Sequence, residues 1–195
     1  AQAAELTAAS LAPTDPLEAG IAAMLPPGSY TALLAGSNNG TGVAGVGYGC
    51  RVMPIKVLSS TGSGYMSDVA SGITWAVDNG AKVISMSLGG SAGGSTLENA
   101  VNYAWSHGVL VVSAAGNNNS QEFSYPGAYT NSIGVGALDQ SNLRASFSNY
   151  GPWVDVAAPG VSILSTYSNG QYAHMSGTSM ATPVVAGVAG LVWSH

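Results

Sequence analysis

Apolar segments of two different periodicities alternate between residues 52 and 115, and this alternation restricts the fold more than any other feature. Residues 52–58, 83–86 and 109–115 predict strands, the last apolar enough to be buried on both faces. Residues 67–79 and 95–107 between them predict helices. Strands and helices in alternation with short connections favour right-handed crossovers. We therefore predict an α/β fold, a three-layer αβα arrangement around a mostly parallel sheet.

Proline, glycine and capping residues help to define the limits of the predicted strands and helices. Pro54 lies within the first strand and indicates a sheet edge or a position whose N–H is locally unpaired, because proline cannot donate a ladder hydrogen bond. Gly80 and Gly108 are typical helix stops. Ser95 and Glu98 have the spacing of a capping box at the start of the second helix. Shorter strands are predicted further along the chain, at residues 133–137, 154–157, 161–166 and 171–174.

The C-terminal part predicts a second kind of helix. A small-residue turn, Gly177-Thr178-Ser179-Met180-Ala181-Thr182-Pro183, leads into an apolar run that ends at Trp193. A helix that is apolar on every side is expected to be buried, and Pro183 fits its first turn. Ser179 would then place a hydroxyl at the positive end of a helix dipole. The alternative is that Thr178 or Ser179 serves only as the N-cap.

Composition excludes several classes of protein. The 195 residues are 46% hydrophobic and 7% charged, which is too apolar for a disordered chain. Four Lys and Arg residues and a net charge of −5 argue against nucleic-acid binding, and the longest apolar run is too short to span a membrane. The single cysteine, Cys50, excludes an internal disulfide framework. We expect a monomeric secreted protein of bacterial type, whose signal peptide is absent or already removed.

Three separated strings share one resemblance. The segment from Gly177 to Pro183 resembles the nucleophile motif of the subtilisin-like serine proteases, the subtilases. Ala114-Ala115-Gly116-Asn117 is similar to their oxyanion segment, and Ser85-Met86-Ser87-Leu88-Gly89-Gly90 is similar to the strand lining their primary specificity pocket. The resemblance extends from about Asn38 to the C-terminus and is greatest to the thermitase and bacterial subtilisin branch.

The resemblance implies a mechanism. Ser179 would be the nucleophile, and its backbone N–H together with the Asn117 amide would form the oxyanion hole; the alternative for Asn117 is a loop amide that binds local backbone. An extended peptide would be held as an added strand. The residues expected to bind it are Gly62, Ser63, Gly64, Ser87, Leu88 and Gly89, with Met66 near a distal subsite; Gly62-Ser63-Gly64 is otherwise a flexible turn.

The expected pocket wall is small and uncharged. Ala114, Ala115 and Gly116 would form it, with Asn118 toward the rim. Such a wall favours large apolar or aromatic substrate side chains over basic ones. Tyr125-Pro126 resembles a position that is a cis peptide in the family, or it is an ordinary turn proline.

A calcium loop is the one cofactor site that the resemblance suggests. Asn39, with the carbonyls of Ser37, Thr41 and Val43, would supply the ligands. Calcium requires six to eight oxygens, usually including a carboxylate, and the family's upstream Asp and Gln ligands are not recognisable here. Asn-Asn-Gly is also a plain turn signal.

The base and orienting group of the triad are not recognisable. In subtilases both precede the calcium loop, but residues 1–37 contain no histidine, and Asp15 lies in a turn-like Thr14-Asp15-Pro16. His107 ends a predicted helix and His195 is terminal. His174 precedes Ser179 by five residues and is a remote candidate for a surrogate base. In a subtilisin, a case borrowed here, loss of Ser or His lowers turnover about 10⁶-fold.

The N-terminal segment differs from the rest. Residues 11–18 and 25–32 resemble a β-rich accessory module of bacterial secreted proteins, with a predicted strand at 29–35. We therefore predict two units, a foreign or accessory segment over residues 1–41 and a partial peptidase domain over 42–195, joined as a chimaera. The expected function is endopeptide hydrolysis through Ser179, very weak or absent without a base. The alternatives are a non-catalytic module that binds extended peptides and a fragment without function.

Overall fold

The computed structural model describes residues 20–24, 43–47, 49–167 and 171–194, the first range by its backbone alone. The described strands are β1 (Gly20–Met24), β2 (Arg51–Ile55), β3 (Val83–Met86), β4 (Leu110–Ala114), β5 (Ser132–Leu138), β6 (Val156–Pro159), β7 (Ile163–Thr166) and β8 (Tyr172–Met175). The described helices are α1 (Met66–Asp78), α2 (Ser95–Ser106) and α3 (Thr178–Trp193).

Six strands form one parallel sheet in the order β2-β1-β3-β4-β5-β6, and β7 and β8 form an antiparallel pair. The parallel sheet confirms the predicted fold class. β2 is the outermost of the described strands on one side, as expected for a strand that contains Pro54. β1 pairs in parallel with β2 on one side and β3 on the other. Part of the segment predicted to be an accessory piece therefore belongs to the sheet, whereas the strand predicted at 29–35 lies outside the described residues.

Alternation along the central strands builds the predicted three layers. Ile84 and Val111 face the apolar cluster that contains α1 and α2. Their neighbours Val83 and Val112 face the opposite cluster, which includes Ala181 and Ala186 of α3. Successive side chains of a strand point to opposite faces, so fully buried parallel strands need apolar residues at every position. This is why β3 and β4 are mostly apolar, with one small buried serine in each, Ser85 and Ser113.

Helix α2 begins without the predicted capping box. Its N-cap is Gly94, Ser95 is already the first helical residue, and no side chain caps the end. Instead the Tyr129 hydroxyl accepts a hydrogen bond from the Gly94 N–H at 2.9 Å and donates to the Gly94 carbonyl at 3.1 Å. The prediction was wrong because a tertiary contact supplies what the local Ser/Glu pattern would have supplied.

Helix α3 departs from prediction in three ways. Its N-cap is Gly177, with no side-chain capping bond, so neither Thr178 nor Ser179 is the cap. Because the helix begins at Thr178, Pro183 lies inside it, beyond the first turn. The helix is also not buried on every side: Val188, Val192 and Trp193 are 49%, 71% and 41% exposed. Small residues such as Ala181 and Ala186 face the sheet, since they allow close approach, and the larger ones face outward. Among the described residues, no helix is long and apolar enough to cross a membrane.

Candidate active site

The candidate site lies where β3 and β4 end and α3 begins, the sheet edge at which α/β proteins bind ligands. Ser179 is the second residue of α3. Its hydroxyl lies 3.4 Å from the Ser87 carbonyl oxygen, and the Ser87 hydroxyl donates to the Ser179 carbonyl at 2.7 Å. The segment after β3 is itself fixed by Ser113, whose hydroxyl lies 3.4 Å from the carbonyl oxygens of Met86 and Leu88.

Thr178 sets the orientation of the Asn117 side chain. The Asn117 Oδ1 accepts hydrogen bonds from the Thr178 N–H at 2.8 Å and the Thr178 hydroxyl at 3.0 Å. Thr178 is fully buried, and its Oγ1 accepts from the Gly116 N–H at 3.1 Å. Because the Asn117 Oδ1 is hydrogen-bonded to Thr178 of α3, the Nδ2 donors of the same amide are left for another acceptor. Asn117 is therefore positioned by α3, and is more than a loop amide that binds its own backbone.

Two donors lie close to Gly177, at the start of α3. A Cβ atom built on Gly177 would lie 3.6 Å from both the Asn117 Nδ2 and the Ser179 backbone nitrogen. The first N–H groups of a helix have no intrahelical partner. Those of Met180 and Ala181 bond to the Gly177 carbonyl, whereas the Ser179 N–H has no hydrogen-bond partner among the described residues. The two donors and the helix dipole can together stabilise an oxyanion next to Ser179.

A cavity of about 270 Å³ opens beside these groups. Of the residues predicted to bind substrate, Leu88, Gly89, Ala114, Gly116 and Asn118 line it, together with Asn117 and Ser179. Ala115 is fully buried and does not line it. Gly90, from the string that resembles the family's pocket strand, and Thr178, from the nucleophile motif, line it too. The sequence does not predict the remaining lining residues, which are Ser91, Glu122, Phe123, Ser124 and Asn149. The uncharged wall predicted from sequence is thus incomplete, because the loop after Asn117 adds a carboxylate and an aromatic ring.

The second predicted peptide edge is separate from this cavity. Ser63 and Gly64 line another hollow of about 310 Å³ with Lys56 and Asp68. Gly64 packs closely against the end of β2, since an added Cβ would lie 2.6 Å from the Val57 carbonyl oxygen. Close packing is thus found at Gly64, whereas a Cβ added to Gly62 would meet nothing within 4 Å.

Two other predicted features connect the elements around the site. Gly90, which follows the first predicted edge, forms an antiparallel bridge with Tyr125. Tyr125-Pro126 is a cis peptide, so of the two alternatives the family-like one holds. Met66 begins α1, and its Cε would lie 3.0 Å from a Cβ on Gly90. Met66 therefore lies beside the segment that follows β3.

The described histidines do not reach Ser179. The His174 Nδ1 lies 2.9 Å from the Ser162 carbonyl oxygen and 3.3 Å from the Ser162 hydroxyl. His107 is the C-cap residue of α2, and its Nδ1 contacts the Tyr103 carbonyl oxygen. His195 lies outside the described residues. Within the described ranges, the hydroxyl of Ser179 thus has a carbonyl neighbour and no imidazole within hydrogen-bond distance.

The described residues do not form a complete metal site. Ser37, Asn39 and Thr41 lie outside it, and only Val43 of the predicted calcium ligands is described. The described residues hold no group of three or more His, Cys, Asp or Glu side chains that could bind a metal. Four neutral oxygens fall short of what calcium requires, so we derive no step through this ion. Burial raises the pKa of the Cys50 thiol, which disfavours a competing thiolate nucleophile.

Comparisons with known proteins agree with this geometry. The model of the subtilase family, Peptidase_S8, matches residues 30–195. The chain is 54% identical to thermitase of Thermoactinomyces vulgaris over 159 residues, 82% of this chain and 57% of that protein. It is also 54% identical to a thermophilic serine proteinase of Bacillus sp. (strain AK1), over 83% of this chain and 40% of the relative.

Solved structures give the same result. The self-cleaved protease domain of PatA has a TM-score of 0.79 at 29% identity, covering 89% of this chain and 79% of that one. A protease of Pseudoalteromonas arctica PAMC 21717 has a TM-score of 0.78 at 42% identity, covering 82% of this chain and 56% of the other. The chain spans about half the length of the curated relatives it matches. With the family model matching most of its length, the chain belongs to the subtilase family and carries part of a subtilisin-like serine protease domain.

Proposed function

We propose that this chain is part of a serine endopeptidase in which Ser179 attacks a peptide carbonyl and forms an acyl-enzyme. The proposal is supported by two donors near the start of α3: the Ser179 N–H, which has no partner among the described residues, and the Asn117 amide, whose Oδ1 accepts from Thr178. Negative charge on the tetrahedral oxygen would be stabilised by these donors. The asparagine donor of a subtilisin contributes about 3–4 kcal/mol, a value borrowed from that enzyme.

The substrate of this proposal is an extended polypeptide. One of its edges would pair with the segment from Ser87 to Gly89, and one side chain would enter the cavity beneath it. Gly62, Ser63 and Gly64 would form the opposite edge. Main-chain hydrogen bonds form with a peptide of any sequence. The preference for one substrate side chain over another would therefore depend on the cavity.

Turnover is expected to be very low for the chain as written. Acyl transfer needs a base to take the Ser179 proton, and the Ser179 hydroxyl contacts only the Ser87 carbonyl among the described residues. Without histidine, a subtilisin retains about 10³–10⁴ over the uncatalysed rate from binding and the oxyanion hole. We expect a residual rate of the same size here.

Hydrolysis of a chromogenic peptide with phenylalanine before the scissile bond tests this. Wild-type chain should hydrolyse it slowly, and Asn117→Ala should lower that rate about 10²–10³-fold. Ser179→Ala is the matched control and should change this slow rate little, because without a base the residual rate comes from binding and the oxyanion hole. A slow rate unaffected by Asn117→Ala would refute the proposed oxyanion hole. Rates typical of a complete subtilisin that Ser179→Ala abolishes would show that a base is present after all, and such rates surviving Ser179→Ala would refute Ser179 as the nucleophile.

A non-catalytic peptide-binding module is the second candidate, favoured by the lack of a described imidazole near Ser179. The same cleft would then bind extended peptides without cleaving them. Calorimetry with a peptide amide, followed by mass spectrometry of the recovered peptide, separates the two. Binding with no cleavage over days favours the module, whereas an intact fold that binds no peptide supports the third alternative, a fragment without function.

The remaining assignments are proposals of the same kind. Relatives such as Subtilisin Savinase and thermitase suggest an extracellular protein. The boundary near residue 41 and the origin of the chain as a chimaera depend on the N-terminal sequence pattern alone.

Calcium binding at residues 37–43 is the weakest assignment, because the four predicted donors are neutral. We expect chelation with EDTA to leave the melting temperature unchanged. A rise in melting temperature on adding calcium chloride, absent with magnesium chloride, would show that the loop recruits further ligands.

A further inference from the structure

We propose that Asn149 is a positioning residue that holds Asn117 in the geometry the oxyanion requires. The inference rests on the function proposed above and concerns a residue some thirty positions away from the motif. Asn149 is only 4% exposed. Its Oδ1 accepts hydrogen bonds from the N–H of Asn118 at 2.9 Å and of Ser120 at 3.3 Å. One side-chain oxygen thus ties down the loop immediately after Asn117.

The backbone around Asn149 holds the same loop from both ends. The Asn149 N–H donates to the Gly116 carbonyl at 2.9 Å, just before Asn117. The Tyr150 N–H donates to the Ser120 carbonyl at 3.0 Å, and the Asn119 N–H donates to the Phe147 carbonyl at 2.7 Å. Asn117 is therefore flanked on both sides by residues bonded to the segment 147–150. In the described contacts its own side chain bonds to α3.

Arg144 adds a second attachment at an unusual backbone position. Asn119 has a φ of +50°, a conformation that L-residues adopt rarely. The Arg144 Nη1 donates to the Asn119 Oδ1 at 2.9 Å and to the Ser148 carbonyl at 2.6 Å. The guanidinium thus joins the loop to the segment that carries Asn149. Its own position is supported by the ring of Tyr150, 4.4 Å away.

The fit between Asn149 and the loop is close. Gly116 has a φ of +98°, and a Cβ there would lie 2.8 Å from the Asn149 Nδ2. A displacement of about 1 Å in a catalytic group can cost roughly 10² in rate. Loss of the Asn149 oxygen would release the partly buried N–H groups of Asn118 and Ser120 and allow such a displacement of Asn117, while Ser179 remains.

The test compares two peptide ligands, of which only one forms a tetrahedral, negatively charged group at the site. A peptide boronic acid forms a tetrahedral adduct with the serine oxygen, whereas the matching peptide amide does not. Because Asn149 also lines the cavity, both ligands can lose affinity in Asn149→Leu, but we expect the boronic acid to lose about tenfold or more beyond the loss of the amide. Asn149→Asp, which keeps an oxygen acceptor, should remove this difference. In an Asn117→Ala background, Asn149→Leu should weaken the boronic acid no more than the amide.

The other outcomes overturn either the positioning role of Asn149 or the proposed function. An equal loss for the two ligands in Asn149→Leu, or the same extra loss of the boronic acid with and without Asn117, overturns the positioning role. Wild type that binds neither ligand overturns the proposed function itself. If Asn149→Leu does not fold by circular dichroism, Asn119→Gly replaces it, since this exposed substitution removes the Arg144 contact; it should weaken the boronic acid severalfold and not the amide, and no change overturns the proposal.

Discussion

At the scale of single residues, the site divides into groups that sequence motifs identify and groups that they do not. Ser179 and Asn117 were predicted from short strings, because each lies at the end of a regular element where small residues and a turn are recognisable. Thr178 belongs to the same motif, yet its role depends on a contact with Asn117, 61 positions away. Asn149 and Glu122 have no local pattern at all. Their function follows only from the way the loops after β4 and β5 meet.

Glu122 is expected to influence which substrate side chain the cavity accepts. It is the only charged residue among those that line the cavity, and it is solvent-exposed. An exposed ion pair contributes about 0.2–1 kcal/mol. Glu122→Gln should therefore lower the affinity for a peptide amide with lysine at this position about 1.5- to 5-fold, and leave the phenylalanine peptide unchanged.

Calorimetry at low salt and at about 1 M salt provides the check, since screening should remove the difference. Glu98→Gln, an exposed change on α2 outside the cavity, is the control. Equal loss for the lysine and phenylalanine peptides would mean that Glu122 acts on loop structure and not on charge.

At the scale of elements, periodicity predicted the helices and central strands to within a few residues, since burial determines both. It failed where long-range contacts replace local ones. The start of α2 depends on Tyr129, which follows Pro126 in a distant loop, and no pattern near Ser95 could reveal it. The exposed face of α3 was missed for a related reason. Apolar residues on all sides indicate burial only when every face has a neighbour.

The pair α1 and α2 is expected to lose one stabilising contact at high pH. The Tyr103 hydroxyl on α2 donates to the Asp78 Oδ1 on α1 at 2.7 Å. This hydrogen bond, then burial and the negative charge of Asp78, raise the pKa of Tyr103 above 10.0. Because the folded state favours the neutral phenol, the contribution is fully present below pH 10 and is lost as pH rises through the higher folded pKa.

Melting temperatures of wild type and Tyr103→Phe measure this contribution. The wild type should be the more stable at pH 8, and the difference should disappear above the pKa of the folded state. Tyr65→Phe, at a residue 79% exposed, should show no difference at either pH. A constant gap between wild type and Tyr103→Phe across this range would show that the hydroxyl acts by packing and not through the proton it donates.

At the scale of the whole molecule, the described chain is a subtilase sheet with one unexpected central strand. β1 occupies the position between β2 and β3, so the sheet is continuous from its edge strand to β6. Sequence motifs could identify the family because they cluster at the carboxyl edge of this sheet. They could not predict β1, because residues 20–24 carry neither a motif nor strong alternation. Pairing with two neighbours, and not local propensity, determines that strand.

The outward face of α3 is expected to affect solubility more than stability. Val188 and Val192 lie one turn apart on this face, and Lys82 Nζ lies 4.7 Å from the ring of Trp193 beside them. Because Val192 is 71% exposed, replacing it removes little buried apolar area. Val192→Lys should change the free energy of unfolding by no more than about 0.5 kcal/mol and should raise the concentration at which the protein begins to aggregate.

Thermal melting and light scattering measure the two effects. Ala186→Lys, at a fully buried position of the same helix, is the variant that should unfold. If Val192→Lys destabilised the protein as strongly as Ala186→Lys, the outward face of α3 would be buried in the folded protein and the prediction would be wrong.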